Sequence, residues 1–150
     1  MRMFLTFLTQ HKFISEIIRD TGLQDAKIAD SPYIQGLKLG SDMGHPLQDS
    51  GSYRRLVGRL LYSSMTRPDI SYAVQQLSQF MQIAHQSHLK AALTVVKYLK
   101  GTSFTGLFLP AANDLKLRAF SDADWASCSD SRRSITGLFF VDQGITIRSY

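Results

Sequence analysis

Two carboxylates are the first candidates for chemistry. Asp122 and Asp124 fall in Phe120-Ser121-Asp122-Ala123-Asp124-Trp125-Ala126, directly after the alternating segment 115–120. Acids at the end of a strand project from a rigid support, and acids two residues apart share one face if the strand continues that far. Holding two Mg²⁺ ions across a phosphodiester takes several carboxylates, about four in all. The strands that follow add only Asp142, in a turn, so that face is short of ligands. Residue types alone leave two readings open: functional carboxylates, or acids that form turns and caps.

The second candidate is a concentration of positive charge. Between Tyr53 and Lys100 lie Arg54, Arg55, Arg59, Arg67, Lys90, Lys97 and Lys100 against one acid, Asp69. Seven cations against one acid give +6, while the whole chain is +5, so the basic character belongs to this stretch. A solvated face usually mixes signs, and near absence of acids is what phosphate contact requires. Arg132 and Arg133 add a second basic point just beyond the acids. A polyanion crossing the basic stretch towards Asp122 accounts for both; a solubilising face is the other reading.

Other reactive side chains offer less. His11, His45, His85 and His88 form no pair with zinc spacing and read as surface residues. Cys128 lies among serines with no activating base, and a single cysteine excludes an internal disulfide while fitting an intracellular setting, cytoplasm or nucleus. The glycines form no phosphate-cradling loop. No apolar run approaches the length of about 20 residues needed to cross a bilayer, so no membrane partner is expected. The opening MRMFLTFLTQ is interrupted by Thr6 and Thr9 and lacks a small-residue cleavage site, which argues against a signal peptide.

These residues need elements to position them. Phe13, Ile14, Ile17 and Ile18 predict a short amphipathic helix over 11–21, ending at Gly22. From Leu23 to Ser52 periodicity dissolves among Pro32, Gly36, Gly40, Gly44, Pro46 and Gly51. A stretch of that length reads as a linker or extended arm lying on a larger neighbour. Three helices follow: one from Tyr53 to Met65, one opened by Pro68 and Asp69 and running through Met81, and one from Ser87 to Lys100 closed by Gly101. The period then becomes that of strands at 104–109, 115–120, 134–141 and 144–149. Helices followed by strands predict an α+β fold. The expected organisation is a short helix and arm over 1–52, a three-helix block over 53–103, and a partial, mainly antiparallel sheet over 104–150.

At this point the wording of the chain resembles a known family. Tyr53-Arg54-Arg55-Leu56-Val57-Gly58, Thr66-Arg67-Pro68-Asp69-Ile70-Ser71-Tyr72-Ala73-Val74 and Leu77-Ser78-Gln79-Phe80-Met81 are similar to the copia-type retrotransposon Pol polyprotein, plant elements above all. So are Val96-Lys97-Tyr98-Leu99-Lys100-Gly101-Thr102, the segment 120–126, and Asp130-Ser131-Arg132-Arg133-Ser134. The motifs keep the family's order over about Gln10 to Gly137.

The resemblance implies the end of a reverse transcriptase, with its thumb and connection region, followed by the start of a ribonuclease H domain. It implies that Asp122 corresponds to the first metal-binding carboxylate of ribonuclease H, with Mg²⁺ as the parent family's cofactor. It also implies that the basic helices lie where RNA–DNA hybrid or DNA duplex is gripped, with the remainder of the polyprotein as a partner. The polymerase's paired aspartates and the later ribonuclease H acids do not occur in these 150 residues. The wording also departs from the family in the first nine residues and from Leu138 onward. The expectation is a fragment that is catalytically inactive alone, binds no metal stably, and retains duplex contact; the alternative is a transposable-element relic with no selected partner.

Overall fold

The computed structural model describes residues 6–34, 36–40 and 44–109, and the backbone of strands 117–124, 135–142 and 146–149. A first strand, β1 (Thr6–Leu8), leads into helix α1 (His11–Asp20). Ile14, Ile17 and Ile18 form the buried stripe of α1. The helix stops at Gly22, whose φ of 67° only glycine adopts without cost. There the amide of Leu23 donates to Ile18 O at 3.0 Å and that of Gly22 to Arg19 O at 3.0 Å, the double bond of a Schellman termination.

Helix α2 (Ser50–Ser63) begins earlier than its apolar stripe suggests, because Asp49 caps it: the carboxylate accepts from the Gly51 amide at 2.8 Å. Pro68–Ile70 form a single 3₁₀ turn, with Pro68 where no amide is needed. It runs straight into helix α3 (Ser71–Ser78). The sequence predicts this helix through Met81, but Gln79 and Phe80 donate to the carbonyls three residues back, at 3.3 and 3.1 Å, and the helix tightens and ends. Phe80 nonetheless stays buried. Helix α4 (Gln86–Gly101) completes the set.

The helices close a ring, with α3 packed on both α2 and α4 and α1 on α4, while α2 meets α1 and α4 alike only narrowly. Ile14, Ile17, Val57, Leu60, Ile70, Val74, Leu77, Val95, Val96 and Leu99 fill the centre with no exposed surface. Each side chain of that size contributes about 1.5–3 kcal/mol by burial. Tyr53, also fully buried, donates its hydroxyl to Leu77 O at 2.8 Å, tying α2 to α3. Burial pushes this phenol's pKa far above the ordinary tyrosine value.

The arm lies on the chain's own helices. Leu23, Tyr33, Leu37, Leu39 and Leu47 pack against the core. The Ala29 amide donates to Lys97 O at 3.4 Å, and the Leu47 amide to Ala84 O at 2.8 Å. A segment read as a linker, or as an arm lying on a larger neighbour, thus finds partners in this chain's own α3 and α4, because its leucines and Tyr33, though aperiodic, cover the seam those helices leave open.

The strands follow: β2 (Thr105–Leu109), β3 (Leu117–Asp124), β4 (Ile135–Asp142) and β5 (Thr146–Ser149). All described pairings are antiparallel. One sheet has the order β1-β2-β5, with Thr6 opposite Leu109 and Thr105 opposite Ser149. β3 and β4 form a separate pair running from Leu117↔Asp142 to Asp124↔Ile135. β1 was not expected from the sequence, since three residues are too few to show a period.

Candidate nucleic-acid interface and carboxylate strand

The seven cations of the helical stretch divide into those the fold has already used and those it leaves outward. Arg67 belongs wholly to the first group. Its side chain has no exposed surface, which removes it from any phosphate-contacting set. Nε and one terminal nitrogen grip Asp69 Oδ1 and Oδ2 at 2.9 and 2.6 Å. The same terminal nitrogen donates to Thr102 Oγ1 at 2.7 Å, and the other to Thr102 O at 2.8 Å. Tyr98 closes the network: its hydroxyl donates to Asp69 Oδ2 at 2.9 Å, its ring lies 5.7 Å below the guanidinium, and its carbonyl accepts from Thr102 Oγ1 at 2.9 Å. The turn before α3 is thereby bolted to the end of α4.

The electrostatics follow from this packing. Burial alone would raise the pKa of Asp69, but the hydrogen bonds and charge of Arg67 outweigh it and hold the carboxyl below its usual range. Tyr98 moves the other way: burial, then the neighbouring carboxylate, raise its phenol.

Arg59 and Lys100 are also engaged. Arg59 donates to Asp20 Oδ2 at 2.8 Å and lies 5.4 Å over the Phe13 ring, joining α2 to α1. The Arg59 hydrogen bond and charge in turn hold Asp20 below the ordinary carboxylate range. Lys100 Nζ donates to Gln24 O and, at 2.7 Å, to Ala26 O, pinning the arm. Of the remainder, Arg54, Arg55 and Lys90 are exposed and Lys97 is half-buried. Arg54 makes only a long 3.4 Å bond to Ser50 O in its own helix. Arg54 and Arg55 lie on α2 and Lys90 and Lys97 on α4. The outward cations are therefore two pairs carried by two different helices. Arg132 and Arg133 lie outside the described residues.

Asp122 stands in β3 opposite Gly137, and Asp124 opposite Ile135. The remaining acid of the hairpin, Asp142, pairs with Leu117, five rungs from Asp122. At about 3.4 Å per residue that is roughly 17 Å along the strand, too far for a shared metal. Among the described residues no group of three or more His, Cys, Asp or Glu is placed to hold a metal ion.

The histidines correct the reading from spacing. His85 and His88 are buried, not surface residues. His88 Nδ1 accepts from the His85 amide at 3.0 Å, Nε2 meets Gly40 O at 2.9 Å, and the ring stacks on Phe80 at 4.1 Å. The residues that organise the site beyond the expected ones, Tyr98 and Thr102, carried one faint signal: they stand four apart at the end of α4, on one side of it.

Comparison with known proteins decides the origin of the chain. It is 42% identical over 130 residues to the retrovirus-related Pol polyprotein from transposon RE1 of Arabidopsis thaliana, a match covering 87% of this chain. The corresponding protein from transposon TNT 1-94 of Nicotiana tabacum is 31% identical over 145 residues, covering 92% of the chain. An uncharacterised mitochondrial protein of Arabidopsis thaliana is 49% identical over 78 residues, which cover 70% of that protein and 52% of this one.

The chain is a homologue of plant retrovirus-related Pol polyproteins from copia-type transposons. It spans 9% of the length of the RE1 polyprotein and 11% of the TNT 1-94 polyprotein. No family model and no solved structure matches it. In this chain Thr66-Arg67-Pro68-Asp69 has a physical role, since its Arg and Asp bolt the turn before α3 to the end of α4.

Proposed function

We propose that the chain is a segment of a copia-type Pol polyprotein that covers the thumb and connection end of the reverse transcriptase and the opening of ribonuclease H. Its surviving activity is binding of RNA–DNA hybrid or DNA duplex, without catalysis of its own. The observation that carries the reading is the division of the cations. Arg59, Arg67 and Lys100 are consumed internally, while Arg54 and Arg55 stand exposed and adjacent at the start of α2. That pair is suited to two phosphates of a polyanion, and Lys90 and Lys97 form a second, separate contact. The expectation of no catalysis is supported by the spacing of the described acids, Asp142 standing about 17 Å from Asp122 along the strand.

Fluorescence anisotropy of the purified chain with a 20-base-pair RNA–DNA hybrid tests the binding. Each phosphate neutralised contributes a slope of about −0.9 in log K against log salt. The two contacts of Arg54 and Arg55 therefore contribute about a tenfold weakening between 50 and 200 mM salt, and R54Q/R55Q removes that share of the dependence. Affinity indifferent to salt, or unchanged in the double variant, overturns the proposal. No binding even at 50 mM salt leaves the relic without a partner. A parallel incubation of the hybrid with Mg²⁺ is expected to leave it intact. Cleavage that Asp122→Asn abolishes would refute catalytic inactivity.

A further inference from the structure

Helix α3 differs from the other helices in what it shows to solvent. α1 carries Lys12, Glu16, Arg19 and Asp20, α2 carries Arg54, Arg55 and Arg59, and α4 carries Lys90, Lys97 and Lys100. α3 carries no charge, and from Ile70 to Leu89 the chain has no Asp, Glu, Lys or Arg. Its polarity there comes from carboxamides instead. While Ala73, Val74 and Leu77 of α3 face the core, Tyr72, Gln75 and Gln79 are exposed. Their spacing of three and four sets them in one outward stripe, with Gln79 still helical in its backbone angles at the end of α3. Tyr72 is steadied at one end by the Tyr33 ring, edge-on at 5.6 Å.

A face that only meets water usually mixes charges of both signs. The centre of a protein–protein contact is instead depleted of charge and enriched in aromatic rings. A polyanion has nothing to grip on this stripe, because it holds no cation. A second copy of the chain does fit it. With a net charge of +5, two copies repel each other, and about a twofold axis each charged side chain is set against its own kind. The α3 stripe is free of that penalty. Glutamine carboxamides and the tyrosine hydroxyl each both donate and accept, so the stripe is its own complement.

We propose that α3 is the contact face of a symmetric homodimer, in which two copies pack their α3 helices antiparallel about a twofold axis between Gln75 and Gln76. In that register Tyr72 of each copy meets Gln79 of the other, and Gln75 of each meets Gln76 of the other. The phenol hydroxyl then bonds the carboxamide while the ring covers the glutamine stem. The contact uses none of Arg54, Arg55, Lys90 and Lys97, so it is independent of duplex binding. One short helix covers less than the roughly 800 Å² per partner of a standard interface, so the dimer is weak, with Kd on the order of 100 μM.

Analytical ultracentrifugation of the whole chain from about 10 to about 500 μM tests this, with an expected shift from monomer to dimer across the range. Raising salt from about 50 to about 200 mM screens the repulsion between copies and is expected to tighten the dimer, the reverse of its effect on duplex binding. Q75K/Q79K and Q75E/Q79E each set like charges against one another across the axis, and each is expected to weaken association at least tenfold. Mixing the two variants is expected to restore it, and R54Q/R55Q to leave it in place. Amide shifts of the unaltered chain on dilution give a reading that needs no variant, and they are expected to centre on 72–79. A monomer at every concentration overturns the proposal. So does a dimer that both charged variants leave intact, a mixture no tighter than either variant alone, or dilution shifts centred on another element.

Discussion

Replacing Asp69 by asparagine removes one charge from the bolt between α3 and α4 and leaves its shape in place. The Arg67 side chain has no exposed surface and that of Asp69 is 21% exposed, so this pair is largely withdrawn from water. In the native network Oδ1 accepts from Arg67 Nε, while Oδ2 accepts from both an Arg67 terminal nitrogen and Tyr98. An asparagine amide nitrogen placed at Oδ2 meets two donors; flipped, it meets Nε. At least one charge-assisted bond is lost in either orientation, and the guanidinium remains buried without its counter-charge. Breaking a buried pair by removing one partner costs about 3–5 kcal/mol, and the partial exposure of Asp69 places D69N at the lower end, about 3 kcal/mol. Urea unfolding at pH 7, read by circular dichroism, measures it. The pH dependence supplies the sign. The folded pKa of Asp69 lies below its unfolded value, so its stabilisation is complete above the unfolded value, about 3.9, and is lost as pH falls from there through the folded pKa. The gap between the native chain and D69N must therefore narrow below about pH 4. A gap under about 1 kcal/mol at pH 7 would show that the ion pair is not holding these elements together. A gap that stays constant down to pH 3 would show that the charge of Asp69 is not its source.

Further outcomes follow from other contacts. Tyr53→Phe deletes a buried hydroxyl and leaves Leu77 O short of a donor, with an expected loss of about 1 kcal/mol in the same urea assay. Gly106→Ala is expected to be worse than its size suggests, because the new Cβ would stand 2.1 Å from the carbonyl oxygen of Leu8. The strands must separate to admit it, at about 1–3 kcal/mol, and exchange protection at 6–8 should fall with that at 105–109 while the helices keep theirs. K90Q/K97Q is expected to reduce duplex affinity separately from R54Q/R55Q, the two effects adding within about 0.5 kcal/mol in an anisotropy titration, because the two pairs stand on different helices.

Much of this molecule could be read from periodicity. The apolar stripes of α1, α2 and α4 are long enough to mark their helices to within a few residues, and the alternation read at 104–109 and 115–120 marks strands that lie at 105–109 and 117–124. Periodicity reports burial of a regular face and nothing else. It therefore could not see that the arm, which has no period, covers α3 and α4, or that three-residue β1 exists. Charge counting failed for a related reason. Arg54 and Arg67 are the same residue type in the same basic stretch, yet one is exposed and the other fully enclosed. What separates them is the position of Asp69, Tyr98 and Thr102, which come together only when α3 folds against α4. His88 was misjudged for want of a zinc partner, when its partners are a backbone amide and a carbonyl 48 residues away.

The pairing of β1 with β2 carries a mechanical consequence. Thr6 lies opposite Leu109, and Leu8 opposite Leu107, so the four helices sit inside a covalent loop of nearly 100 residues closed by three rungs of hydrogen bonds. Closing a flexible loop of that length costs about 4 kcal/mol in chain entropy, which favours its closing after the helices have assembled. Tension applied to the chain directly before Thr6 and directly after Leu109 reaches the Thr6–Leu109 rung first, and the antiparallel geometry opens it as a zipper, one rung at a time. The helical ring bears no load until the third rung has parted.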